Sequence, residues 1–167
     1  MKTIVLARHA KSDWTQGVSD RERPLNHRGK ADAPMMGRLL AAYGFQPDIV
    51  LSSPAVRAKT TAQAVLANLP SRPAIQIENE IYEGGPGSVV GLIQGLPDSH
   101  ESVMVFGHNP TTEHIASYLL QMRGGIVVPT CGMVCIEMTV NRWSQVSPLF
   151  SNLKWFLIPK LVKKFKA

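Results

Sequence analysis

The chain has 167 residues, 44% of them hydrophobic and 18% charged. That length supports one domain with a full core and is too short for two ordinary ones, and the composition excludes a disordered chain. Net charge is +6, yet no apolar stretch approaches the length of a membrane span.

The chain begins on a strand. Residues 3–7, Thr-Ile-Val-Leu-Ala, form an apolar run of strand length, with no secretory pattern before it. Asn26 is placed to cap a helix running to about Tyr43, with Met35, Met36, Leu39 and Leu40 on one face. Pro34 lies inside it and predicts a kink or break. A second strand spans 48–52. Ser53-Pro54 then reads as a cap followed by a first-turn proline, opening a helix to about Leu69. Strand 74–77 follows, then a third helix opened by Ser88 and spanning Val89 to Leu96. After strand 102–107, Asn109-Pro110 repeats the cap-proline signal for a helix to about Met122. Strand 133–140 and a last strand around 143–149 complete the chain. Strands alternating with helices imply a largely parallel sheet covered on both faces. The longest irregular pieces are 13–25 and 78–88.

Cys131 and Cys135 read as small buried hydrophobes in a reducing compartment, the cytoplasm, because no partner at zinc spacing accompanies them. The basic tail, residues 160–167, reads as a solvated terminal helix or frayed end, with attraction to an acidic partner or membrane surface as the alternative. It is too short for stable membrane association.

Three strand ends carry chemistry. The first delivers Arg8 and His9, the second leads through Ser53-Pro54 to Arg57, and the third delivers His108. In open α/β sheets ligands bind outside the carboxyl ends of the strands. Phosphoryl transfer asks for neutralised charge on three oxygens and a nucleophile in line. Arginine forks onto phosphate, and a neutral histidine is a competent nucleophile at pH 7. No acidic cluster at metal spacing and no Gly-rich nucleotide loop is present, so the expected chemistry needs neither metal nor cofactor.

Arg8-His9-Ala10, Arg57 within Leu51-Ser52-Ser53-Pro54-Ala55-Val56-Arg57-Ala58-Lys59-Thr60-Thr61, and Gly107-His108-Asn109-Pro110 resemble the histidine phosphatase superfamily. This superfamily also holds the cofactor-dependent phosphoglycerate mutases. Arg23-Pro24-Leu25-Asn26-His27-Arg28-Gly29 and Ser147-Pro148-Leu149-Phe150 support the likeness, which runs from residue 1 to about 155. The branch it resembles is that of the short SixA-like phosphohistidine phosphatases. The first triplet ends in Ala10 where the family usually has glycine.

The resemblance implies one three-layer α/β/α domain over 1–167, with the mostly parallel sheet of the phosphoglycerate mutase type. It implies His9 as phosphoryl acceptor, and Arg8, Arg57 and His108 as holders of the phosphoryl oxygens. Glu80, four residues before Gly84-Gly85, matches the proton donor of the mutase branch, with Glu83 as its rival. Arg21 and Arg23 lie in a polar loop near the expected pocket, where substrate contact and plain solvation both remain open. Trp14, Tyr82 and Trp143 are candidates for the pocket mouth or the core; His27, His100 and His114 read as surface residues. A chain this short, without long capping insertions, suggests an open pocket and a phosphohistidine on a protein as substrate. A small-molecule phosphomonoesterase and a weakly catalytic phosphoprotein-binding regulator are the rival readings. Neither nucleic acid nor a membrane is an expected partner.

Overall fold

The structure, a computed structural model, describes residues 1–165. Six strands form one sheet: β1 (Lys2–Arg8), β2 (Ile49–Ser52), β3 (Ile75–Ile77), β4 (Ser102–Gly107), β5 (Met133–Met138) and β6 (Ser151–Leu157). Their order is β3-β2-β4-β1-β5-β6. Pairings among β1 to β4 are parallel, while β5 runs antiparallel to both β1 and β6. The expected α/β sandwich with a mostly parallel sheet is therefore what the chain forms.

Alternation along each strand builds two cores. Ile4, Leu6, Leu51, Val105 and Ile136 face one side, where α4 (Pro86–Gln94) and α5 (Thr111–Leu119) supply Ile93 and Ile115. Val5, Val50, Met104 and Cys135 face the other, covered by α1 (His27–Tyr43), α2 (Val56–Leu66) and α6 (Pro159–Phe165) through Met36, Val65 and Val162. The short α3 (Glu80–Glu83) lies in the loop after β3. Both cysteines are free and buried as expected, though Cys131 sits in the turn before β5 rather than on a strand. Residues 166–167 of the basic tail lie outside the described residues.

Several boundaries differ from expectation. Helix α1 runs through Pro34 without a break. A proline inside a helix costs about 3 kcal/mol, but burying a large apolar side chain returns about 1.5–3 kcal/mol, and Met35, Met36 and Leu40 are all buried. Helix α2 starts at Val56, because the Ser53 hydroxyl accepts from Ala55 N (3.2 Å) in a tight turn instead of capping the helix. Helix α4 starts at Pro86, with Gly85 as cap and the proline in the first turn, so Ser88 lies within the helix. Helix α5 starts at Thr111, since the Asn109 amide is engaged with Glu113 and Val128 rather than with the helix N–H groups. The strand expected around 143–149 is two 3-10 turns, Trp143–Gln145 and Pro148–Phe150, and β6 follows them. Pro148 has no N–H for a ladder, and β6 is a half-exposed edge strand without a continuous apolar run.

One close approach ties the fold to the site. The first turn of α1 packs so tightly on the loop after β1 that a Cβ at Gly29 would lie 2.2 Å from Lys11 O. Asn26 caps that helix by accepting from Gly29 N, and its own N–H donates to Lys11 O. The loop leaving His9 is thereby clamped to a helix start.

Candidate active site

The parallel register brings the three strand ends together. Arg8 is opposite Gly107, and Ser52 is opposite Phe106. His9 N donates to Gly107 O and Ser53 N to Phe106 O, each at 3.0 Å. From the antiparallel side, Arg8 N donates to Gly132 O and Cys131 N to His9 O. The result is an open cleft of about 380 Å³ at the carboxyl edge, lined among others by Arg8, His9, Arg23, Arg57 and His108.

His9 is 8% exposed, and its ring is held in one tautomer. Nδ1 lies 2.7 Å from Ala10 O, and a carbonyl only accepts, so Nδ1 carries the hydrogen. Nε2 then holds the lone pair, which accepts from Arg57 Nε (3.3 Å). Burial lowers the ring's pKa to about 3, assisted by the nearby positive charge and opposed by the Ala10 carbonyl. The imidazole is neutral at physiological pH, with its lone pair directed at the cation that would grip a phosphoryl group. Thr61 supports the arrangement: its hydroxyl donates to Arg57 O and accepts from Ala10 N.

His108 stands 5.0 Å from His9, centroid to centroid. Its Nε2 is 2.7 Å from Ser53 Oγ. Ser53 Oγ already accepts from Ala55 N, so the arrangement that satisfies the serine has its hydroxyl donating to Nε2. That leaves Nδ1–H as a buried donor with no acceptor among the described residues. Burial, then the charge of Arg57, lowers the His108 pKa to about 4. Arg8 is similarly underused. Nη1 donates to Val128 O (2.9 Å), while its buried Nε has no partner among the described residues. Two donors without acceptors beside a neutral imidazole suit an anion.

Asp20 is the group that sequence reasoning missed. Its Oδ1 accepts from Arg23 Nε and Nη2, and its Oδ2 accepts from Arg57 Nη2 and the Tyr82 hydroxyl. Desolvation pushes its pKa up, but the bonds from Arg23, Tyr82 and Arg57 outweigh it and hold the carboxyl well below the usual carboxylate range. Asp20 thus orients both arginines. Its only sequence signal was a charged residue in a long loop. Glu113 was missed too. It accepts from Asn109 Nδ2 and Val128 N, fixing the peptide that receives Arg8.

The other expected residues are placed as follows. Arg23 is buried in the cleft wall, stacked on Trp14 at 3.5 Å and donating to Ser12 Oγ. Arg21 is exposed, donating to Asn79 Oδ1 (3.3 Å) and lying over the Tyr82 ring, outside the cleft lining. Trp14 is exposed at the rim, and Tyr82 meets His108 edge-on at 5.6 Å. Trp143 is core rather than rim: it is fully buried, and its Nε1 donates to His100 O. Glu80 and Glu83 are exposed and make no side-chain hydrogen bond or ion pair among the described residues. His27 and His114 are exposed, and His100 is half-buried.

Residues 4–98 match the histidine phosphatase superfamily, branch 1. An uncharacterized protein of Mycobacterium tuberculosis is 32% identical over 162 residues, 92% of this chain and 99% of that one. A crystal structure from Agrobacterium tumefaciens, of a protein assigned as the phosphohistidine phosphatase SixA, is 29% identical. It covers 95% of this chain and 99% of its own, with a TM-score of 0.78. The protein histidine phosphatase SixA complexed with tungstate superposes at a TM-score of 0.83 over 96% of this chain and 99% of its own. Its identity is 21%, a likeness of fold.

Proposed function

The chain belongs to the histidine phosphatase superfamily and is a phosphatase, and from that premise we propose that it removes phosphate from protein phosphohistidine through a phosphorylated His9. The observation that carries this is the His9 ring: neutral down to about pH 3, tautomer fixed by Ala10 O, lone pair on Nε2 facing Arg57. In the first step Nε2 attacks phosphorus, the bond from phosphorus to the substrate's imidazole nitrogen breaks, and that nitrogen takes a proton from solvent. In the second step water attacks phosphorus, the bond to His9 breaks, and inorganic phosphate leaves with His9 neutral again. Arg8, Arg57 and the Nδ1–H of His108 hold the phosphoryl oxygens. Arg23 lends further positive charge from the cleft wall, and Arg21 lies outside it near the rim. With this many cations the charge is neutralised without a metal ion.

The open cleft and its exposed Trp14 suit a side chain projecting from a protein surface. The SixA likeness at 29% identity supports the same substrate class. Glu80 is the candidate donor for substrates that leave as alkoxides.

The test is His9→Ala. Turnover of a phosphohistidine protein should fall by about 10³-fold or more, while the melting temperature stays close to that of the parent. Acid-labile, base-stable label should be trapped on the parent enzyme and be absent from the variant. Near-parent turnover in the variant would remove His9 from the role.

A further inference from the structure

Beside the catalytic cleft lies a second cavity of about 320 Å³, and Thr130 lines both. Its cations come from two helices: Arg28 from the first turn of α1, and Lys160 and Lys163 from α6. One carboxylate answers them. Asp32, almost fully buried, lies 2.5 Å from Lys163 Nζ and 3.9 Å from Arg28 Nε. Three cations against one carboxylate leave two positive charges in excess. Among the described residues Lys160 has no acidic partner. Arg28 Nη2 also donates to Thr130 Oγ1 (3.0 Å), so this guanidinium stands at the junction of the two cavities.

Resting on the phosphohistidine reading above, we propose that this cavity takes an acidic side chain of the phosphoprotein substrate, next to the phosphohistidine that enters the cleft. Asp32 draws Lys163 toward the cavity as an ion pair, and Thr130 accepts from Arg28 at its junction with the cleft. The buried Asp32 also selects among anions. A dianionic phosphate meets more repulsion from it than a singly charged carboxylate does. The cavity is open like the cleft and shares a wall with it, which suits two neighbouring side chains of one surface segment.

The test compares a phosphohistidine peptide flanked by Asp and Glu with the same peptide flanked by Asn and Gln. Phosphoramidate, too small to span both cavities, reports on the catalytic site alone. The parent enzyme should show a KM about tenfold lower for the acidic peptide, with equal kcat, and the difference should shrink as salt is raised. Lys160→Glu and Arg28→Gln, each checked for folding by its melting curve, should bring the ratio of the two KM values toward one. Equal KM values in the parent, or a ratio unmoved by both variants, overturn the subsite. If phosphoramidate is cleaved and neither peptide is, the protein-phosphohistidine reading fails. The two peptides are then compared as inhibitors of phosphoramidate cleavage: stronger inhibition by the acidic one upholds the subsite, and equal inhibition overturns it. Stronger inhibition by a small bisphosphorylated molecule than by the acidic peptide assigns the cavity to phosphate and overturns the carboxylate assignment.

Discussion

Strand β1 carries a cation at each end, and the two are treated oppositely. At the amino end Lys2 is fully buried, and its Nζ has three acceptors: Asp98 O, His100 O and Glu101 Oε1. At the carboxyl end Arg8 has one carbonyl, and among the described residues neither its buried Nε nor the nearby Nδ1 of His108 has a partner. An unsatisfied buried polar group costs about 1–3 kcal/mol, so a chain retains such groups where something other than stability is gained. The amino end is satisfied within the fold, while the carboxyl end keeps donors that the proposed phosphoryl group would take. Lys2 is fully buried and Arg8 half-buried, and the count of satisfied donors separates them further.

Exchanging the two cations for methionine breaks the comparison most sharply. Arg8→Met should lower turnover by about 10²-fold, because a charge that stabilises the transferring phosphoryl group is lost. Its melting temperature should change little, since burial already disfavours that charge. Lys2→Met should do the reverse. Leaving the Asp98 and His100 carbonyls without their buried donor should cost about 1–3 kcal/mol, read as a lower melting temperature, with turnover per folded molecule at the parent level. The crossed result, with Lys2 governing turnover and Arg8 governing stability, would dissolve the distinction between the ends.

Acid sharpens it further. Unfolded histidine titrates near 6.5, whereas folded His108 and His9 stay neutral until about 4 and about 3. Between those values the unfolded chain binds more protons. Their contribution is therefore intact above about pH 6.5 and is lost as pH falls from there toward 4. Each unit of separation is worth about 1.4 kcal/mol, so thermal melts should fall steeply across that window. His108→Gln should flatten part of the slope. Over the same window the ring resonances of His9 in the folded enzyme should show no titration near 6.5, because burial keeps that imidazole neutral there. A plain histidine titration of His9 itself would mean that the ring is open to water, and would remove burial as the source of its neutrality.

The comparison also explains what was legible in the sequence. Arg8, His9 and His108 end apolar runs, and Arg57 follows a Ser-Pro turn, so local pattern was enough to bring all four to one edge of a parallel sheet. Asp20 was hidden because its meaning is a contact with Arg57, far along the chain, made from an irregular loop with no periodicity. Glu113 acts on Val128 across a shorter gap that helical or strand periodicity does not bridge either. Trp143 sits in a turn, and only the tertiary fold shows that its ring lies in the core beside Lys2. The last strand was displaced for a related reason. Edge strand β6 exposes Asn152, Leu153 and Lys154 in a row and gives a weaker signal than the buried β1, β2 and β4.

The smallest expected effect concerns the proton donor. An alkoxide leaving group needs a proton in the transition state, and a well-positioned acid is worth about 10²–10⁴-fold. A phosphohistidine imidazole is protonated by solvent and depends on such an acid much less. Asp13 and Asp20 of the 13–25 loop are poor donors. Asp13 is held low by the Thr15 backbone and hydroxyl and by Gln16, and Asp20 by Arg23, Tyr82 and Arg57 against its own desolvation. Glu80 remains, on the short helix whose Tyr82 already reaches Asp20 and His108. Its carboxylate is exposed and unbonded among the described residues, so its effect should fall short of a preorganised acid. Glu80→Gln should lower turnover of an alkyl phosphate by up to about tenfold and leave a phosphohistidine peptide nearly untouched. Glu83→Gln should change neither. Equal loss on both substrates would make Glu80 a support of the loop that carries Tyr82. No loss on either would leave the proton to water.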